Sequence, residues 1–299
     1  MYNKALKEGA RFIFNSTITN IIVENNKIIA VEYQKNGKVE KMLAEKTIIC
    51  SGGKSYPGTG STGDGYQLAL NLGHKIEKLY PVLVPLQTKE DYCSKMQGLT
   101  LKNINASLII NDLLVREEFG DLMFAHYGLS GPVILTLSRE AVFAMESKAK
   151  IKIIIDFKPA LDKEKLDARI LRDINEHGKM KLANLFKLWL PQKAISVFLE
   201  IVKIDTEKPA HQVSGIERKQ IVEALKSFEL NIIAHRGFKE AVITAGGVCL
   251  DEVNPKTMES KIIKGLYFAG EVLNLDANTG GYNLQIAFST GWLAAETLQ

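Results

Sequence analysis

GLYFAGEVLNLDANTGGYNLQIAFSTG, residues 265–291, is the stretch that decides the fold. It reads as a short apolar strand over 266–269, then a loop, then a helix that begins after Gly280 and Gly281. A helix that begins at a glycine pair presents free backbone N–H groups and the positive end of its dipole to whatever lies in front of it. Such a terminus favours an electron-rich ligand. The stretch therefore predicts a strand–loop–helix unit with a binding site at its turn.

A second strand end with glycines lies far upstream. Residues 46–50 (KTIIC) form a buried-type strand that stops at Ser51-Gly52-Gly53. Before it, residues 11–43 alternate in short strands, with Asn25-Asn26 and Asn36-Gly37 as turns. This pattern predicts an antiparallel meander that leads into the strand. Two glycine-terminated strands in one chain favour a shared site at their ends.

The letters Gly58-Thr-Gly60-Ser-Thr-Gly63 match the dinucleotide fingerprint G-x-G-x-x-G. In that motif the first glycine ends the strand, and an acidic residue follows about 20 positions later. Here residues 54–57 intervene, and no such acidic residue follows. We therefore interpret the run as a glycine loop that leads into a helix capped by Asp64.

The run Gly128-Leu-Ser130-Gly131 resembles a nucleophile elbow, but Pro132 stands where G-x-S-x-G needs its last glycine. We interpret Ser130 as the cap of a helix that begins at Pro132. From about residue 88 to 240 the chain mixes strand-like stretches with helical ones, and residues 162–199 are predicted to be helical. This organisation predicts a block inserted between two pieces of one α/β domain.

Composition narrows the class of protein. The chain has 46% hydrophobic and 24% charged residues and a formal net charge of +4. The sequence lacks a block of basic residues of the kind that is typical of nucleic-acid binding. Its apolar runs are shorter than the ~20 residues that span a bilayer. The three cysteines are widely spaced and the histidines show no ligand spacing, so we predict no metal site and a cytoplasmic protein.

Four stretches resemble a bacterial flavoprotein family, the NAD(P)/FAD-dependent oxidoreductases that include aminoacetone oxidase and the dehydro-bile-acid reductase of gut anaerobes. They are SGGKSYPGTGSTGDGYQLALNLGH (51–74), FGDLMFAHYGLSGP (119–132), VITAGGV (242–248) and the opening stretch. Their order and spacing match the family over essentially the whole chain.

The resemblance implies an α/β fold, α+β overall. A partial Rossmann-like FAD-binding domain would be split by a β-barrel-like insert that carries a small helical subdomain. The FAD-binding domain would comprise residues 1–87 and 241–299, the insert residues 88–240, and the helical subdomain residues 161–226, approximately.

The resemblance also implies a cofactor set. Gly270 and Glu271 would hold the ribitol and pyrophosphate side, and 280–285 the isoalloxazine ring, largely by backbone. Residues 51–53 would lie near the adenosine half, the backbone of Ile18 near the adenine, and 244–247 near the flavin. The FAD-binding residues so predicted are Ile18, Ser51, Gly52, Gly53, Thr244, Gly246, Gly247, Gly270, Glu271, Gly280, Gly281, Tyr282, Asn283, Leu284 and Gln285. No catalytic side chain is assigned.

The family carries its G-x-G-x-x-G segment and an acidic ribose ligand ahead of the region that aligns with Met1. We therefore expect an N-terminally truncated chain that lacks the first βαβ unit. A parallel sheet without that strand would expose apolar surface and an open edge, so we expect weak FAD binding or none.

The resemblance implies an FAD-dependent oxidoreductase that moves hydride to and from the flavin. Its substrate would be a small molecule, and NAD(P)H or oxygen is a candidate electron partner. The alternative is a non-enzymatic or inactive fragment with an incomplete cofactor site. A third reading, an RNA-modifying flavoprotein, is disfavoured by the low charge and the lack of a basic–aromatic strip. The substrate and the oligomeric state are not indicated by the sequence.

Overall fold

A computed structural model describes residues 2–298. Its helices are α1 Tyr2–Lys7, α2 Asp64–Asn71, α3 Tyr92–Lys95, α4 Pro132–Glu146, α5 Lys163–Glu176, α6 Leu182–Leu185, α7 Gln192–Val202, α8 Gly215–Lys226 and α9 Tyr282–Glu296. Its strands are β1 Ser16–Glu24, β2 Lys27–Lys35, β3 Lys38–Leu43, β4 Thr47–Ile49, β5 Ile76–Val82, β6 Leu86–Thr88, β7 Thr100–Ile110, β8 Leu113–Ala125, β9 Gly128–Ser130, β10 Ile151–Asp156, β11 Phe228–His235, β12 Ile243–Val248 and β13 Leu266–Phe268.

The N-terminal meander is a three-stranded antiparallel sheet in the order β1-β2-β3. Its turns use left-handed backbone at Asn25, Asn26 and Asn36, as the turn residues predicted. Strand β1 begins at Ser16 rather than at Arg11, because Asn15 has a φ of 55° and residues 11–14 pair with no strand. The meander packs on a core that it shares with β4, β13 and α9.

Two small sheets carry the candidate site. Strands β4 and β13 are parallel, with Thr47 opposite Leu266 and Ile49 opposite Phe268. Strands β12 and β5 are antiparallel, with Thr244 opposite Pro81. Since parallel neighbours end at the same edge, Ser51 and Gly270 both lie just beyond the carboxyl ends of their strands.

A closed barrel in the order β10-β11-β6-β9-β8-β7 occupies the middle of the chain. Helix α4 packs on β8, and α5 to α8 lie between β10 and β11 in the chain. Barrel and helices share one large apolar core. The predicted fold class, an α/β domain interrupted by a barrel with a helical subdomain, is confirmed. The barrel strands run from Leu86 to His235, and the exact domain boundaries stay a prediction.

Three local predictions need correction. Residues 162–199 are not one helix, because the chain turns at 177–181 and again at Pro191, which precedes α7. Gly63, with a φ of 90°, is the N-cap of α2, and Asp64 is its first helical residue. Ser130 lies in β9, and Gly131 caps α4 with a φ of 93°.

A buried histidine ties the end of α2 to the segment before β13. His74 Nδ1 lies 3.0 Å from Glu252 Oε2, and His74 Nε2 lies 2.8 Å from Ser260 Oγ. Ser260 Oγ also accepts the N–H groups of Ile262 and Ile263, so its own proton goes to Nε2. These bonds fit the neutral Nδ1–H tautomer. Burial lowers the pKa of His74, and Glu252 opposes that shift.

Within residues 2–298, no helix is both long and apolar enough to cross a membrane. Over the same residues, no cluster of three or more His, Cys, Asp or Glu side chains could hold a metal ion. Cys50, Cys93 and Cys249 are all free thiols.

Candidate functional site

The site lies at the carboxyl edge of the parallel pair β4–β13. The Ala269 N–H donates to Ile49 O over 3.1 Å, so the ladder continues to the last residues of both strands. Gly270 then turns away with a φ of 77°, and its N–H donates to Thr290 Oγ1 on α9 at 2.9 Å. The strand end is thereby fixed to the helix that follows it. In open α/β sheets, ligands bind in the crevice beyond this edge.

Glu271, Thr244 and Gly53 meet in a tight junction. The Thr244 N–H donates to Glu271 Oε1 at 2.7 Å. A Cβ at Gly53 would overlap both Glu271 Oε1 and Thr244 Oγ1, so only glycine fits beside them. Three segments that are far apart in the sequence therefore converge on one carboxylate.

Thr244 is fully buried, and its hydroxyl organises the loop after β4. Thr244 Oγ1 accepts the N–H of Lys54 at 2.8 Å and the N–H of Ser55 at 3.0 Å, and it lies 2.9 Å from Ser55 Oγ. The predicted residue Thr244 is thus a structural link between β12 and the loop that follows Gly53.

The Glu271 carboxylate is held in a poorly solvated position. Burial raises its pKa, the Thr244 hydrogen bonds oppose the rise, and the charge of Asp276 adds to it. Among the described residues no group donates to Glu271 Oε2, so one oxygen remains able to accept a hydrogen bond. Tyr66 OH donates to the Glu271 backbone oxygen at 3.2 Å, and burial raises the pKa of Tyr66.

The loop before α9 is held in place by hydrogen bonds from helix α4. Arg139 on α4 binds Asp276 with two hydrogen bonds, Nε to Oδ2 at 2.6 Å and Nη2 to Oδ1 at 3.3 Å. Its guanidinium also lies 4.8 Å from the centre of the Phe143 ring. The Asp276 side chain is only 7% exposed. Helix α4 therefore helps to set the position of the loop 274–281.

The start of α9 matches the prediction from the Gly-Gly pair. Gly280 and Gly281 have φ values of 119° and 89°, and Gly281 is the N-cap. The first intrahelical bond runs from Gln285 N–H to Gly281 O at 3.0 Å, so the N–H groups of 282–284 have no acceptor within the helix. The Asn283 side chain is occupied, because it accepts from Ala277 N–H and donates to Ala277 O.

The remaining predicted residues are Ile18, Ser51, Gly52, Gly246 and Gly247. Ile18 and Ser51 line one apolar cavity of about 500 Å³ between the meander and β4. Gly246 and Gly247 are buried in β12, where a Cβ would overlap the backbone oxygens of Lys78 and Val272 respectively. These two glycines allow close backbone packing beside the site. Gly52, with a φ of 73°, turns the chain out of β4.

Three side chains in or beside the site were missed by the sequence interpretation. They are Thr290, which accepts from Gly270, Tyr66, which supports Glu271, and Arg139, which holds Asp276. Only Arg139 could have been noticed in the sequence, because it is one of two charged residues among the first ten of the otherwise apolar helix α4. Thr290 and Tyr66 become recognisable only when α9 and α2 are packed on β13.

Fold and site together define a Rossmann-type domain whose candidate site lies at the carboxyl edge of its parallel strands. The model of the HI0933-like protein Rossmann domain matches residues 1–297. The chain belongs to this family, which is FAD-binding and oxidoreductase-like, so the resemblance drawn from the four sequence stretches is confirmed.

Two curated relatives and one solved structure show similarity over most of the chain. The 3-dehydro-bile acid delta(4,6)-reductase of Clostridium scindens is 30% identical over 276 residues, which are 92% of this chain and 67% of that protein. The ribosomal RNA dihydrouridine synthase of Haemophilus influenzae is 27% identical over 292 residues, 97% of this chain and 69% of that protein. The chain thus spans about two thirds of the length of these relatives. The FrdA chain of Escherichia coli quinol fumarate reductase shares 15% identity at a TM-score of 0.40, with 94% of this chain and 44% of that chain covered.

Proposed function

We propose that this chain supplies the ring-side half of an FAD site in an oxidoreductase. The observation that carries the proposal is the pairing of Glu271, at the end of β13, with the glycine-capped start of α9. Both follow β13 in the chain, and Gly270 N–H donates to Thr290 Oγ1 in the middle of α9, which fixes the helix against the strand end. Membership of the HI0933-like family supports FAD as the ligand.

The donors and acceptors at the site fit FAD. A ribitol chain offers hydroxyl groups, and Glu271 Oε2 is free to accept from one of them. An isoalloxazine ring gains negative charge when it is reduced, and the N–H groups of 282–284 lie at the positive end of α9. The cavity beside Ile18 and Ser51 is apolar, as a site for an adenine face requires.

Bound FAD would supply hydride exchange. The chain's own residues would bind the cofactor and orient it. Glu271 would fix the ribitol, and the start of α9 would stabilise negative charge on the ring. The Arg139–Asp276 pair would keep the loop 274–281 in place. We assign no acid or base side chain to the reaction, because no titratable side chain in the described junction is free of other partners except the Glu271 carboxylate.

The names of the two relatives indicate the same type of reaction, the reduction of a carbon–carbon double bond. A delta(4,6)-reductase saturates carbon–carbon double bonds of a dehydro-bile acid, and a dihydrouridine synthase saturates one in uracil. Both substrates carry the double bond in conjugation with a carbonyl group. We therefore propose a small-molecule substrate with a conjugated C=C–C=O unit, reduced at the expense of NAD(P)H in the cytoplasm. RNA is the second candidate substrate, since one of the two relatives is named for it.

The test is a two-stage titration of the purified chain. FAD is first added while the quenching of flavin fluorescence is followed. NADH or NADPH is then added without oxygen, followed by a conjugated enone, and the flavin absorption band is recorded. The proposal expects weak but saturable FAD binding, bleaching by one of the nicotinamides and recovery of the band with the enone. Absence of FAD binding would instead favour the inactive-fragment alternative.

A further inference from the structure

An exposed tyrosine in an unusual backbone conformation stands beside the proposed FAD site. Tyr56 has φ 54° and ψ 57°, in the left-handed region that bulky residues rarely adopt. The residue is 58% exposed. The conformation is held from both sides, since Tyr56 N–H donates to Phe238 O at 2.8 Å and Tyr56 O accepts from Thr59 N–H and from Thr59 Oγ1, each at 2.9 Å. Strain that neighbours maintain in this way is typical of functional segments.

Two cation–aromatic pairs involve the segment of Tyr56 and the segment 236–238, whose Phe238 O accepts from Tyr56 N–H. Lys54 Nζ lies 5.3 Å from the centre of the Phe238 ring, and the Arg236 guanidinium lies 4.5 Å from the centre of the Tyr127 ring. We name these five residues, Lys54, Tyr56, Tyr127, Arg236 and Phe238, the Tyr56 patch. They are separated by up to 184 positions in the chain, so no continuous basic–aromatic strip marks them in the sequence.

The charges in the Tyr56 patch are not equivalent. Arg236 is paired with Glu240 on its own segment, with Nη2 to Oε1 at 2.6 Å. Lys54 forms no salt bridge with any carboxylate of residues 2–298. Lys54 is therefore the cation of the patch that is available to an external anion.

The patch borders the FAD-binding residues directly. The N–H groups of Lys54 and Ser55 bind Thr244 Oγ1, and Thr244 N–H binds Glu271. On the outer side the loop is open, because within residues 2–298 no atom beyond the adjacent residues lies within 4 Å of a Cβ built at Gly58 or Gly60. A molecule that approached the Thr244–Glu271 junction from this side would meet Tyr56 and Lys54.

We propose that Tyr56 and Lys54 recognise the substrate. Tyr56 stacks on a flat conjugated ring, and Lys54 attracts an anionic group carried by the same molecule. The ligand class is a conjugated ring compound that bears a phosphate or a carboxylate. A uridine nucleotide and a 3-oxo steroid carboxylate both satisfy that description. The inference rests on the proposed function, because the ring must be brought to the flavin.

The test compares charged probes with their neutral counterparts on the full chain. The pairs are uridine 5′-monophosphate with uridine, and a 3-oxo-Δ4 steroid carboxylate with its methyl ester. Affinities are measured by calorimetry for the wild type and for Tyr56→Leu, Tyr56→Phe, Lys54→Gln and Lys54→Arg. Tyr2→Leu is the matched control, since Tyr2 is another exposed tyrosine. FAD affinity is measured on every sample.

One charged probe should bind, and the responding pair identifies the source of the ligand. Tyr56→Leu should weaken its binding about tenfold, as loss of one stacked ring predicts, while Tyr56→Phe and Tyr2→Leu retain it. Lys54→Gln should weaken it up to about fivefold and remove the preference over the neutral counterpart, and Lys54→Arg should restore that preference. The inference is overturned if neither charged probe binds, or if Tyr56→Leu binds as the wild type does. A wild type that does not bind FAD would instead contradict the proposed function.

Discussion

Replacing Arg139 with methionine should loosen the loop 274–281 and weaken FAD binding while the barrel stays folded. Methionine keeps most of the apolar stem of Arg139, but it removes the guanidinium over Phe143 and both hydrogen bonds to Asp276. Asp276 would then be a carboxylate of low exposure without a partner. The loop that leads into Gly280 and Gly281 would lose its anchor on α4.

The expected magnitude follows from the exposure of the two partners. The Asp276 side chain is 7% exposed and that of Arg139 is 37% exposed, so the pair is neither fully buried nor fully solvated. Breaking a buried pair costs about 3–5 kcal/mol, and an exposed pair contributes about 0.2–1 kcal/mol. We expect a loss of about 2 kcal/mol in the free energy of unfolding. If FAD must re-order the loop, its affinity falls by up to about 30-fold.

Urea unfolding and a flavin-fluorescence titration check this prediction, with Arg116→Met as the matched control. Arg116 also ties α4 to the barrel, because it pairs with Glu118 on β8 and Glu140 on α4, but it does not touch the loop. Arg116→Met should therefore lower stability without changing FAD affinity. The reasoning is refuted if Arg139→Met binds FAD within twofold of the wild type, or if both variants weaken FAD binding equally.

Three further predictions concern the site and the core. Glu271→Gln keeps an acceptor for Thr244 N–H and removes a carboxylate whose pKa is raised by burial. Urea unfolding at pH 7 should therefore show a free energy of unfolding equal to or slightly higher than that of the wild type, although the variant binds FAD less tightly. His74 has a pKa lowered by burial, so the folded state binds fewer protons than the unfolded one, and stability should fall by up to ~1.4 kcal/mol per pH unit as pH drops below ~6.5. Denaturation at several pH values should show this slope reduced in His74→Gln, and an unchanged slope would contradict the lowered pKa of His74. Gly53→Ala should lower the free energy of unfolding by ~1–3 kcal/mol, measured by thermal unfolding. Gly58→Ala should change it little, because a Cβ at Gly58 would lie in open space.

The local chemistry of the site was predictable, because it depends on residues that are close in the sequence. The strand ending at Gly270, the helix start after Gly280 and Gly281, and the strand ending at Gly52 all follow from periodicity and glycine placement. The barrel was expected only from the family resemblance, since strands such as β6 and β11 pair across more than a hundred residues. Periodicity does not indicate which strand is the neighbour of which.

The long-range contacts that complete the site were not predictable from one sequence. Arg139 and Asp276 are 137 positions apart, and Thr244 meets Lys54 across 190. Such pairs form only after α4 and β12 are placed by the barrel and the sheets. The same reason explains why the sequence showed no basic–aromatic strip, although folding brings Lys54 and Phe238 together.

The most direct test of the FAD site is the ratio of FAD affinities of the wild type and Glu271→Gln, measured by flavin fluorescence under identical conditions. Glu271 is the one carboxylate of the junction with an oxygen free for a ligand, so its neutralisation should weaken binding about tenfold, the loss of one charge-assisted hydrogen bond. The account predicts that loss in a variant at least as stable as the wild type. Equal FAD affinity in the two proteins, or no binding by either, would contradict it.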